Sequence, residues 1–188
     1  NCHNGGEAMR TRTQVQELLY GALLAALAIL IPTVFRGWLQ VIVPPFSATL
    51  GSHVPTMLAM FISPMTAAFV GVGSALGFLF TLGPIVALRA AVHILIGVMG
   101  ARLTRRGKHP WLVLSLTALP HAVGESLVVL PFGFDLYQAF VVVGLGTLLH
   151  HSVDAVLTVV LNSSLAKAGV KLNKLVPDSC DRNHTMLR

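Results

Sequence analysis

Eight side chains able to carry charge interrupt sequence that is otherwise apolar: His53, Arg89, His93, His121, Glu125, His150, His151 and Asp154. An ionisable group in the hydrocarbon layer of a membrane costs about 3 kcal/mol or more, so such groups face a protein interior and mark function. Arg89 and His93, His121 and Glu125, and His150 and Asp154 are each spaced i, i+4. That spacing puts both members of a pair on one helix face, and three such faces can converge on a common interior. The chemistry on offer is recognition. A guanidinium takes a carboxylate through charge-assisted, bidentate hydrogen bonds, whereas a carboxylate and imidazoles take hydroxyl and amino groups. The alternative is a metal protein, a divalent-cation transporter or a membrane metalloenzyme, with zinc on His93, His121, His150 and Asp154 and with Glu125 as base. Against it, Arg89 beside the cluster repels a cation, and no recognised zinc spacing is present.

Plainer readings exist for single residues. An isolated intramembrane histidine commonly hydrogen-bonds a neighbouring helix, and that is the expectation for His53 and His151 taken alone. Arg89 and Glu125 can form an ion pair that only locks two helices together. Eight such positions exceed what adhesion needs, because interhelical hydrogen bonds in bilayers average about 0.6 kcal/mol.

The elements that must position these residues follow from composition. The chain has 188 residues, 54% hydrophobic and 11% charged, with a mean hydropathy of +0.76; soluble domains carry about 25% charged residues. The apolar runs are continuous rather than alternating, which excludes a β-barrel and predicts an all-α membrane protein. Pro, Gly and charge divide the runs into six transmembrane segments, 14–33, 47–62, 65–81, 84–103, 111–131 and 137–166. The weakest division is Ser63-Pro64, between the second and third. Residues 1–13 form a polar N-terminal tail, 14–166 the six-helix transmembrane domain and 167–188 a polar C-terminal tail. Residues 1–8 precede Met9 and read as an added remnant. No cleavable signal peptide is expected, and Cys2 and Cys180 lie in the tails, remote from any core role.

The net charge of +6 describes topology, not a nucleic-acid partner. With six segments, eleven of the 13 basic residues fall on one side: Arg10 and Arg12, the loop Arg102 to Lys108, and Lys167 onward. Lys and Arg accumulate on the cytoplasmic side of short loops, which predicts both termini in the cytoplasm. At 1.5 Å per residue, Arg89 and Glu125 fall in the outer half, with His93, His121 and His150 near the midplane and Asp154 deeper. The outer connection Phe35 to Phe46 contains Pro44-Pro45 and cannot be a span. It reads equally as a cap over a cavity or as an interfacial anchor built on Arg36 and Trp38.

In the first segment Ala22, Ala25 and Ala26 form a smooth face that another helix can approach closely. No phosphate-binding loop, H-E-x-x-H or G-x-S-x-G motif is present, so neither ATP hydrolysis nor another enzymatic activity is expected of the chain, and no cofactor.

Several stretches together resemble a known family. The alanine-rich first segment (Ala22-x-x-x-Ala26), the run PPFSATLGSHVPTMLAMFISP at 44–64, the stretch GPIVALRAAVHILIG at 83–97 and the basic loop 102–108 resemble the substrate-capture (S) component of energy-coupling factor vitamin transporters. The resemblance spans residues 14–166. It implies a six-helix protein of the cell membrane that binds a vitamin near its outer face. It also implies that the first helix docks on a transmembrane coupling (T) subunit driven by two ATPase subunits. Within that family Arg89 points to a carboxylate, which favours pantothenate first or niacin. Glu125 and the histidines keep hydroxymethylpyrimidine and pyridoxine-like ligands open.

Overall fold

The computed structural model describes residues 2–175, with side chains from residue 11. Six α-helices follow one another: α1 (Cys2–Val34), α2 (Val54–Met60), α3 (Pro64–Thr81), α4 (Pro84–Arg105), α5 (Pro110–Val129) and α6 (Gly146–Lys167). Between α1 and α2 stands an antiparallel hairpin of β1 (Gln40–Val43) and β2 (Phe46–Thr49), with Val43 opposite Phe46. A π-helical stretch, Tyr137–Leu145, runs directly into α6.

The helix starts are written in the sequence. Pro64, Pro84 and Pro110 each occupy a first-turn position, where the missing N–H costs nothing. Ser63 caps α3 by accepting the Thr66 N–H at 3.0 Å, and His109 caps α5 by accepting that of Trp111. Gly107, at φ +71°, ends α4 in a left-handed conformation that favours glycine.

Among the described residues five stretches are long and apolar enough to cross a membrane: Thr11–Val34, Pro64–Thr81, Pro84–Arg105, Pro110–Phe132 and Tyr137–Lys167. The continuous helix expected over 47–62 is not formed. Its first part is β2 and a turn, and only the seven residues of α2 are helical. Gly51 adopts φ +81°, and the N–H groups of Gly51 and His53 bond the distant Asp154 rather than a preceding turn. At the other end, helix α1 continues through the residues read as a polar tail. Of the C-terminal tail, residues 176–188 lie outside the described residues.

Small residues set the packing. A Cβ at Gly71 would stand 2.8 Å from the backbone N and Cα of Ile94, so α3 and α4 touch backbone to backbone. Along α1 and α3, Gly21 meets Phe69 and Ala25 meets Gly73, so these two helices run parallel. Helices α3 and α4 run antiparallel, with Gly71 at Ile94 and Gly97 at Ala67. The main apolar core gathers Met57, Met60, Val70, Ile96 and Leu114 from α2, α3, α4 and α5.

Candidate functional site

The three i, i+4 pairs read from the sequence do converge. Helix α4 presents Arg89 and His93, α5 presents His121 and Glu125, and α6 presents His150 and Asp154; the unwound segment before α2 adds His53. All are buried except His150, which is partly buried. Arg89 and Glu125 are paired: Nη2 and Nε donate to the same carboxylate oxygen, Oε2, at 2.7 and 3.0 Å. Thr147 donates to that oxygen too, at 2.6 Å. The other oxygen, Oε1, faces only imidazoles, with His121 Nε2 at 3.3 Å and His93 Nε2 at 3.5 Å.

A second group forms around Asp154, which is 0% exposed. It accepts the Gly51 and His53 N–H groups at 2.8 and 2.9 Å, with His150 Nε2 3.1 Å away. His150 Nε2 also donates to the Thr49 carbonyl. Asp154 therefore pins the broken segment 49–53 against α6, where a turn replaces helix. Irregular backbone at membrane depth is tolerated where its polar groups are satisfied in this way or line a cavity.

His151 takes the part expected of a lone intramembrane histidine. It bonds the Leu114 carbonyl at 2.9 Å through Nε2 and meets His121 Nδ1 through Nδ1 at 3.0 Å, tying α6 to α5. His53 does not behave this way: its Nδ1 is buried without a hydrogen-bond partner.

A cavity of about 60 Å³ opens above these groups, lined by Arg89, His93, Glu125, His53 and His150 and roofed by Gln40, Ser47 and Thr49 of the hairpin. The hairpin thus lines the cavity, and Phe46 lies under the Arg89 guanidinium, 5.3 Å from ring centroid to Cζ. Trp38, 89% exposed, does not line it. Both readings of the 35–46 connection have a structural counterpart, the strands as cap and Trp38 as an outward-facing aromatic.

Of the smooth face on α1, Ala22 and Ala26 are exposed. Ala25 is buried against Gly73 of α3 and belongs to internal packing.

Three contributors were missed from sequence: Thr147, the Ser47 carbonyl that accepts Arg89 Nη1 at 3.4 Å, and the Gly51 N–H. Thr147 had a signal, since it stands one helical turn before His150 on the polar face of α6. The backbone groups had none.

Over 176 residues the chain is 35% identical to the niacin transporter NiaX of Lactococcus lactis subsp. cremoris (strain MG1363), covering 84% of this chain and 78% of that protein. The chain belongs to the S components of energy-coupling factor vitamin transporters. As an S component it is a multi-pass membrane protein and not an enzyme. No family model and no solved structure matches it.

Proposed function

We propose that this S component captures niacin at the outer face of the cell membrane and delivers it through a T component powered by two separate ATPase subunits. The observation that carries the reading is the Arg89 guanidinium lining a 60 Å³ cavity in a chain related to a niacin transporter. Three of the five guanidinium N–H donors are used, two on Glu125 and one, at 3.4 Å, on Ser47. The remaining two are available to a carboxylate. Niacin ranks ahead of pantothenate because the relative is a niacin transporter. Buried Glu125 and Asp154 serve as acceptors that hold Arg89 and the segment 49–53 in position.

In this reading the chain crosses the membrane six times with both termini in the cytoplasm. The parallel run of α1 and α3 supports it, because segment 46–60 must then return the chain once between them. The basic loop 102–108 agrees. Ala22 and Ala26 form the exposed part of the T-component docking face.

The test is mass spectrometry of the small molecule released when the purified protein is denatured. Nicotinate is expected. Release of pantothenate, pyridoxine or hydroxymethylpyrimidine would replace niacin as the assigned vitamin.

A further inference from the structure

His53 and His93 line the cavity, and His121 stands behind them, with the three rings 4.8, 4.8 and 4.9 Å apart in a nearly equilateral triangle. One ligand atom from each, together with a Glu125 oxygen, lie within 4.8 Å of one another. His93 Nε2, 3.5 Å from Glu125 Oε1, and His53 Nδ1, 3.7 Å from Asp154 Oδ2, are buried without a hydrogen-bond partner, in residues only 7% exposed.

Hydrogen bookkeeping sharpens the point. His151 bonds a carbonyl through Nε2, so that nitrogen carries the hydrogen and a neutral His151 offers a lone pair at Nδ1. His121 must then donate from Nδ1, which leaves a neutral His121 with a lone pair at Nε2. That lone pair faces Glu125 Oε1, a carboxylate oxygen that only accepts, at 3.3 Å. A positive species belongs between them. Charge leads to the same place: Arg89 against Glu125 and Asp154 leaves the chamber one negative, an unfavourable host for an anion.

We propose that His53, His93, His121 and Glu125 hold a divalent cation of the zinc type, and that this cation is a co-ligand of the captured carboxylate vitamin. Zn–N distances of about 2.0–2.1 Å in a tetrahedron put ligand atoms roughly 3.3–3.5 Å apart. The His121 and His93 separations from Glu125, 3.3 and 3.5 Å, already meet that spacing. Three imidazoles and a carboxylate are a borderline donor set that suits zinc. The Arg89 charge that speaks against a cation in the sequence is balanced by its pairing with Glu125 Oε2, so with a divalent cation the chamber becomes one positive, and a monocarboxylate neutralises it. The pyridine nitrogen joins as a fifth ligand, expanding the tetrahedron, while Arg89 takes the carboxylate. Asp154 stays outside this set because its oxygens already accept the Gly51 and His53 N–H groups.

This inference rests on the niacin reading, and the two are tested separately. The full chain in nanodiscs is stripped with EDTA, equilibrated with zinc chloride, and assayed for metal by elemental analysis and for radiolabelled nicotinate binding. About one zinc per chain is expected. Nicotinate binding should be lost in the stripped protein and restored by zinc. Cobalt substituted at the site should show visible absorption that shifts on adding nicotinate. His93→Ala should lose the metal, whereas His109→Ala, outside the chamber, should keep it. Because changes in the cluster risk the fold, the wild-type measurements decide.

No zinc uptake overturns the proposal. Equal nicotinate binding with and without metal overturns it while leaving the niacin reading intact. Stripped protein that regains nicotinate binding on acidification alone also overturns it, since protons then supply the charge. Zinc uptake without nicotinate binding in any state contradicts the co-ligand role and the niacin reading together.

Discussion

Arg89 holds Glu125 through one carboxylate oxygen only, with Nη2 at 2.7 Å and Nε at 3.0 Å from Oε2. The two ends of the carboxylate therefore have different duties. Oε2 anchors the guanidinium at the cavity wall, and Oε1 is turned to the histidines below.

Removing one partner leaves the other as an uncompensated buried charge, which costs about 3–5 kcal/mol. Arg89→Ala should therefore lower the thermal midpoint of the purified protein and abolish nicotinate binding. The double variant Arg89→Met with Glu125→Leu should recover most of the midpoint, because well-packed apolar residues replace a buried pair at little cost. It should still fail to bind. Thermal unfolding of the three proteins, set beside ligand binding, checks both statements; wild-type affinity in the double variant would remove the pair from the site.

Thr147→Val takes a donor from Glu125 Oε2 without changing side-chain shape much. A hydrogen bond to a charged group contributes about 1.5–3 kcal/mol, so the midpoint should fall by a corresponding amount. Nicotinate affinity should fall as well, since Arg89 loses part of what fixes its partner. An unchanged midpoint would show that the 2.6 Å contact contributes nothing.

Much of this arrangement was legible in the sequence, and the part that was not has a physical reason. The i, i+4 spacing of Arg89 with His93, His121 with Glu125 and His150 with Asp154 is enough to place three faces together once the segments are helices. Prolines 64, 84 and 110 mark helix starts directly. Segment 47–62 was read as a helix because its apolar run carries no local sign of extended backbone except Gly51. What unwinds it is Asp154, about a hundred residues away, and no periodicity reports a contact of that range. Likewise Ala25 could be told from Ala22 and Ala26 only by the presence of Gly73 across the α1–α3 contact.

The same contact separates packing from docking on α1. Ala22→Leu and Ala26→Leu, on the exposed face, should abolish uptake in cells while leaving nicotinate binding by the purified chain intact. Ala25→Leu should instead destabilise the protein by about 1–3 kcal/mol through overpacking against Gly73. Uptake by all three variants at wild-type rate would remove α1 from the docking surface.

Topology is checked by labelling in a background with Cys2→Ser and Cys180→Ser. A cysteine replacing Lys108 should react only with reagents admitted to the cytoplasm, and one replacing Trp38 only with reagents outside. Reactivity of the Trp38→Cys variant from the cytoplasm would turn the cavity to the wrong face.

The most direct test of the central claim is equilibrium binding of radiolabelled nicotinate to the purified wild-type chain in nanodiscs supplied with zinc. The account predicts saturable binding to a single class of site, displaced by unlabelled nicotinate but not by an equal excess of pantothenate, and absent in Arg89→Ala. No saturable nicotinate binding, or displacement by pantothenate at lower concentration than by nicotinate, would contradict it.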